Sequence, residues 1–409
     1  MPRHAERWRL ALLLLAATAL LTLADTATGD YGIELRPAVD QLLAGHVQTF
    51  FAGAPVYGPS VLPRVPFMAV AHALGSGWVG VYLAGAVACM FAVTGLAYLL
   101  DGRLSALGRS RGVRVAVILT CLLAPVLTRA APMGHPEEAL AGALCAIAVL
   151  AALSGHNGWA GVALGAAVAA KPWAVVAILP ALLAAEGGRV RLLLAAAATT
   201  AGAELPFLLA QPSGTAGSSS VARLSTAPHY FHPTQLFWPL REAIHDPVTG
   251  ATGYRGPPLI HQYSHPLIVL LAVPLSAVFA LRLRGGRVER RDALALLALL
   301  LFARSLLDPW NTIYYVLPAV LALVSWEALT RDGLPIGAMA ITGLTYVTFV
   351  TLAGRLGADA LAAAYLAWAI PALLLLGRAA FTGAGDGARR RLPQTRISAT
   401  ASSTSPGAI

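Results

Sequence analysis

The sequence predicts an all-α polytopic membrane protein, a bundle of about 12 transmembrane helices. Three observations lead there. Of its 409 residues, 57% are hydrophobic and only 12% charged, whereas soluble domains carry about a quarter charged residues. Apolar runs, many near the roughly 20 residues a spanning helix needs, recur along almost the whole chain. The arginines collect in the short connectors between those runs, which is the positive-inside distribution. The net charge of +10 therefore reports topology and not a nucleic-acid partner. Cys89, Cys121 and Cys145 fall inside apolar runs, with neither disulfide nor metal spacing.

Arg3, Arg7 and Arg9 precede the first run, Leu10–Ala24, an uncleaved first span or a signal peptide; a polytopic chain favours the span. The first long loop, 25–66, is then extracytoplasmic. Within it, Leu35–Phe51 has apolar residues at helical spacing and predicts an interfacial amphipathic helix. Pro55 to Pro66 ends that helix, and Phe67–Leu74 could be half inserted. The second span covers about Trp78–Leu100, and Arg103, Arg109, Arg111 and Arg114 mark the inside. The third, Val115–Thr128, exits to Arg129–Glu138, and the fourth, Ala139–Leu153, returns to the polar turn Ser154–Gly158. Trp159–Ala170 and Ala174–Ala185 are short for spanning helices, so they are tilted or broken around Lys171-Pro172.

The seventh span, Leu192–Ala210, precedes a second long outer loop, 211–264, that opens with Gly and Ser and continues through His229, His232 and Trp238. Spans follow at Pro266–Leu281, Ala293–Leu307, Ile313–Leu329, Leu334–Leu352 and Leu361–Leu376. The chain is thus one transmembrane domain, 1–377, followed by a basic, Ser/Thr-rich cytoplasmic tail, 378–409, of disordered composition. There is no internal repeat.

Under this topology the unusual polar residues gather on the extracytoplasmic side. Asp30 follows the first span, placed either as a turn cap or as a general base for an acceptor hydroxyl; Glu34 is close enough to substitute for it. Gly134-His135-Pro136-Glu137-Glu138 opens the fourth span with proline and two acids in the first turn, ordinary helix-start chemistry. His135 is less ordinary, because Ser or Asp would cap better. Lys171 is the single lysine against twenty-eight arginines. Buried between apolar runs it faces a cavity or partner, or else it snorkels to the interface; in a site it would contact an anionic phosphate. Arg304 and Asp308, four apart, either pair on one helical face or Arg304 shares that phosphate. His229 and His232 are spaced too loosely for zinc, but suit sugar stacking or phosphate orientation.

These features resemble the GT-C superfamily of polytopic glycosyltransferases, and most closely glycosyltransferase family 87, the polyprenol-phosphate-mannose-dependent mannosyltransferases. The resemblance rests on Gly29-Asp30-Tyr31, Tyr57-Gly58-Pro59, Gly134-His135-Pro136-Glu137-Glu138, Ala170-Lys171-Pro172-Trp173 and the segment from Phe231-His232-Pro233 to Gln235-Leu236-Phe237-Trp238. It implies a GT-C-like bundle in a bacterial plasma membrane. Its activity would be transfer of a sugar, mannose in that family, from a polyprenyl-phosphate donor to an extracytoplasmic lipid or glycan acceptor. By the same likeness Asp30 is the catalytic base, Lys171 and Arg304 hold the lipid phosphate, and His135, Glu137 and His232 line the site; Glu138, Glu34 and Asp308 complete the polar set. A solitary Asp after the first span, where some relatives carry paired acids, argues against a bound metal, and no cofactor is implied. Membrane lipids are the remaining partners. The alternatives from other classes are a multispanning transporter or lipid flippase, and a structural membrane subunit.

Overall fold

A computed structural model describes residues 2–24, 27–210, 231–245 and 252–383. It is almost wholly helical. The α-helices of seven or more residues, in chain order, are α1 (Pro2–Leu23), α2 (Arg36–Leu43), α3 (Val47–Gly53), α4 (Val65–Ala73), α5 (Trp78–Ala106), α6 (Arg111–Leu127), α7 (Pro136–Leu153), α8 (Asn157–Ala170), α9 (Ile178–Ala184), α10 (Arg189–Ala210), α11 (Pro258–Arg284), α12 (Ala293–Leu307), α13 (Leu317–Thr330), α14 (Ile336–Tyr346) and α15 (Ala358–Thr382), with a single helical turn, Tyr31–Glu34, before α2. One antiparallel hairpin, Glu242–His245 with Thr252–Arg255, precedes α11. Among the described residues six helices, α5, α7, α10, α11, the stretch Ile313–Thr330 containing α13, and α15, are long and apolar enough to cross a membrane.

Burial sorts the helices into core and rim. Leu294 to Leu301 of α12 and Leu317 to Val324 of α13 are all buried. In α10, α11 and α15 only 11%, 22% and 28% of the most apolar window is covered, so their Leu and Val side chains face outward. Small residues set the closest contact. Gly161 and Gly165, spaced as Gly-x-x-x-Gly, press α8 onto α10: a Cβ on either would lie 2.3 Å from the Leu192 carbonyl oxygen or 2.4 Å from that of Ala196. Such close backbone approach is how helices associate where no hydrophobic drive separates protein from solvent.

The connectors meet in two groups at opposite ends of the helices. One is the arginine end. Arg103 donates to the Leu150 carbonyl and Ser154, Arg290 to the carbonyls of Leu183 and Ala185, and Arg282 to that of Phe381; Arg109 pairs with Asp332. The cations therefore also cap helix C-termini, whose last carbonyls have no partner within the helix. The other end gathers the loops after α1, between α6 and α7, after α8 and after α12.

Two expectations change in detail and one of two alternatives is decided. The segment Leu35–Phe51 is two helices, α2 and α3, broken at Gly45 with φ +85°, and it packs inward, with Leu35, Val39 and Phe50 buried. Helix α11 starts at Pro258, not Pro266, because proline suits a first turn and Pro266 is accommodated within the helix. The chain does break at Lys171, which is extended (φ −150°, ψ 118°) between α8 and the 3₁₀ turn Pro172–Ala177. The Gly/Ser stretch and His229 of the second long loop, and the basic tail from 384, lie outside the described residues.

Candidate active site

Two glycines bring the first acid to the imidazole. Gly29 (φ +45°) and Gly134 (φ +93°) both occupy the left-handed region that favours glycine. Their loops cross backbone to backbone: a Cβ on Gly29 would lie 2.1 Å from the Met133 carbonyl, and one on Gly134 would lie 2.6 Å from the amides of Asp30 and Tyr31. The crossing is sealed by the Asp30 amide donating to the Met133 carbonyl at 3.1 Å. Asp30 and His135, 105 residues apart, thereby come within 3.3 Å, Oδ2 to Nε2.

From His135 a chain of charges runs inward. Its Nδ1 is 2.9 Å from Glu137 Oε1, and the same oxygen is 3.1 Å from Lys171 Nζ. Lys171 is also 3.5 Å from Glu138, which takes a hydrogen bond from Trp173 Nε1 at 3.1 Å and pairs with Arg304 at 3.2 Å. Glu137 and Glu138 have side-chain exposures of 0% and 2%, whereas Asp30 has 53%. The two glutamates of the helix start are therefore counter-charges held inside the fold, and Asp30 is the carboxylate it presents. His135 occupies the cap position of α7 but makes no capping bond with its side chain, so its ring is committed to the two acids.

Aromatic rings close around the cations. Lys171 Nζ lies 4.4 Å from the Tyr57 ring centre, and the Arg304 guanidinium lies 4.5 Å from those of both Trp173 and Tyr315. His135 packs at 4.7 Å against Tyr314, the rings tilted by 38°, and Tyr314 is itself 5.1 Å from Tyr315. The Tyr57 hydroxyl donates to Glu34. Burial, with Glu137 and Glu34 nearby, holds that phenol well above its ordinary pKa, so it keeps its proton.

Sequence reasoning missed Arg64. It closes the 3₁₀ turn Gly58–Arg64, is 0% exposed, and has Nη1 3.6 Å from Glu137 Oε2. None of its three guanidinium nitrogens has a hydrogen-bond partner among the described residues. An arginine in a loop otherwise counted as extracytoplasmic carries no signal in the sequence; only the fold reveals that it is swallowed. Arg64, Lys171 and Arg304 face Glu34, Asp30, Glu137 and Glu138, so a protonated His135 makes the group neutral. Burial works against that charge, but hydrogen bonds to Asp30 and Glu137 outweigh it and raise the His135 pKa from 6.5 to about 9.

The last two expected residues stand apart. Asp308 does not pair with Arg304: helix α12 ends at Leu307, Asp308 turns extended (ψ 121°), and its carboxylate accepts from the Trp310 amide at 3.0 Å and pairs with His265 at 3.2 Å. His232 is held in place through its amide, which donates to the Pro309 carbonyl at 3.1 Å, and burial lowers its ring pKa. Asp30, Glu34 and His135 offer ligand atoms within 4.8 Å of one another and are the residues that could hold a metal ion among those described. Glu34 and His135 are, however, already engaged by Tyr57 and Glu137.

An exposed carboxylate backed by an imidazole, beside paired cations sheathed in aromatic rings, can take a proton from a hydroxyl while a neighbouring anion is held. The model of glycosyltransferase family 87 matches residues 56–309, more than half of the chain, and spans Arg64, the helix start at His135, Lys171 and Arg304. No curated protein and no solved structure matches.

Proposed function

The chain belongs to glycosyltransferase family 87, and from that premise we propose that it transfers a sugar, mannose by the family's likeness, from a polyprenyl-phosphate donor to an extracytoplasmic lipid or glycan acceptor. The observation that carries the reading is the paired arrangement of Asp30, 53% exposed, with the buried Lys171 and Arg304. In the reaction an acceptor oxygen attacks the anomeric carbon and Asp30 takes its proton. The bond from that carbon to the phosphate oxygen breaks, and the phosphate leaves with the electron pair. Lys171, on a flexible stem at the helix break, exchanges Glu137 and Glu138 for the departing phosphate, and Arg304 supports the same charge from behind. His232 and Asp308 border the acceptor side.

The bundle would cross a bacterial plasma membrane twelve times, with the arginine end cytoplasmic and the site at the opposite face. A lipid-linked donor suits a site at the membrane interface, flanked by outward-facing apolar helices. The break at Lys171 would also suit a transporter, but family membership favours transfer over translocation.

The test incubates the purified protein with a panel of polyprenyl-phosphate sugars and acceptors and follows donor-dependent transfer. Asp30→Asn should abolish transfer with folding intact. Transfer by that variant at the wild-type rate would refute the base, and no transfer from any donor would refute the reaction.

A further inference from the structure

The site end of the bundle holds a second carboxylate–imidazole pair, built the opposite way round. In Asp30–His135 the acid is 53% exposed and the imidazole 7%; in Asp308–His265 the imidazole is 51% exposed and the acid 3%. The first pair presents a carboxylate and the second presents a ring nitrogen. Asp308 uses both oxygens for this. Oδ2 is 3.2 Å from His265 Nε2, and Oδ1 accepts from the Trp310 amide at 3.0 Å. One buried acid thus holds an imidazole on α11 and the backbone of Trp310 after α12, and the two rings meet edge to face, 5.6 Å apart, with His265 Nδ1 directed away from its counter-charge.

Unmet polar groups surround this corner. Trp310 Nε1, Ser264 Oγ and both ring nitrogens of His261, one turn before His265, have no hydrogen-bond partner among the described residues. A buried donor or acceptor without a partner costs about 1–3 kcal/mol, so several in one place call for a common explanation. Asp308, four residues after Arg304 in the chain, acts electrostatically on Tyr315, as Arg304 does, and Tyr315 packs on Tyr314, which lies against His135.

Resting on the proposed transfer reaction, we infer that His265, Asp308 and Trp310 form a saccharide subsite for the acceptor. A sugar ring offers a C–H face to an indole and hydroxyls that both donate and accept, which matches an aromatic wall bordered by unmet donors and acceptors. A phosphate is a poor match, because the acid directly behind His265 opposes a further negative charge. An acyl chain would leave the polar groups unmet. The acceptor therefore presents a neutral sugar ring, with a hydroxyl reaching across to Asp30.

Saturation-transfer NMR on the full-length protein in nanodiscs tests this, with methyl α-mannoside, an α-linked mannobiose, methyl β-glucoside and inorganic phosphate as probes. At least one saccharide should bind, Trp310→Ala and His265→Ala should weaken it at least tenfold, and Gly32→Ala, whose added Cβ meets nothing within 4 Å, should leave it unchanged. His265→Gln, which retains a partner for Asp308, guards against misfolding and should keep part of the affinity. Binding of no saccharide, equal binding by wild type, Trp310→Ala and His265→Ala, or binding of phosphate in preference to every sugar would overturn the inference. In transfer assays the same two variants should raise the acceptor KM at least tenfold with the donor KM unaltered; an unchanged acceptor KM also overturns it. Trp310-dependent sugar binding without transfer from any donor would sustain the subsite and sink the transfer reaction instead.

Discussion

Replacing Gly29 by Ala probes how finely Asp30, the proposed general base, is placed. The new Cβ would start 2.1 Å from the Met133 carbonyl, and ordinary contact begins at 3.4 Å. The two backbones must part by about 1.3 Å, the difference between those distances, since a main-chain carbonyl has no rotamer by which to step aside. Alanine in the left-handed region adds about 1–3 kcal/mol of strain. The Asp30 to His135 contact, 3.3 Å now, would open beyond hydrogen-bonding range, and a misplacement of about 1 Å in a catalytic group can cost about 100-fold in rate. The expected result is a comparable fall in sugar transfer by a protein that still folds. Gly32→Ala is the control, since a Cβ there meets nothing within 4 Å. Rates are read in nanodiscs with polyprenyl-phosphate sugar at saturation. A Gly29→Ala protein within twofold of both wild type and Gly32→Ala would show that the crossing does not set the geometry of the acid.

Arg64→Met should remove about 3–5 kcal/mol of stability, the penalty for stranding one member of a buried ion pair, whereas Arg64→Met combined with Glu137→Gln should recover part of it. Denaturant unfolding of Arg64→Met, Glu137→Gln and the double variant decides, and simple additivity of the two single losses would refute the pairing. The His135 pKa is raised in the fold, from 6.5 to about 9, so its contribution to stability is complete below about pH 6.5 and is lost as pH rises through about 9. Transfer should accordingly decline through about pH 9 as the Asp30 contact weakens, and the decline should disappear in His135→Gln. An unaltered alkaline limb in that variant would assign it to another group.

Much of the architecture was legible in one dimension. Alternating apolar runs and arginine connectors identify a helical membrane protein and its arginine end, because the cost of burying charge in lipid imposes that pattern on any such chain. The residue types at Asp30, His135, Lys171 and Arg304 also stand out against an apolar background. Their pairings do not, because they join residues far apart in the chain: Arg304 meets Glu138 across 166 positions and His135 meets Asp30 across 105. Helical spacing suggested that Arg304 would pair with Asp308, but the helix ends one residue too soon, so Asp308 turns to His265. Only the tertiary structure decided which carboxylates are swallowed as counter-charges and which is presented. It also decided that Arg64, in a loop with no helical or charge signature, lies at zero exposure against Glu137. Burial depends on what packs over a side chain, and neither hydropathy nor periodicity records that.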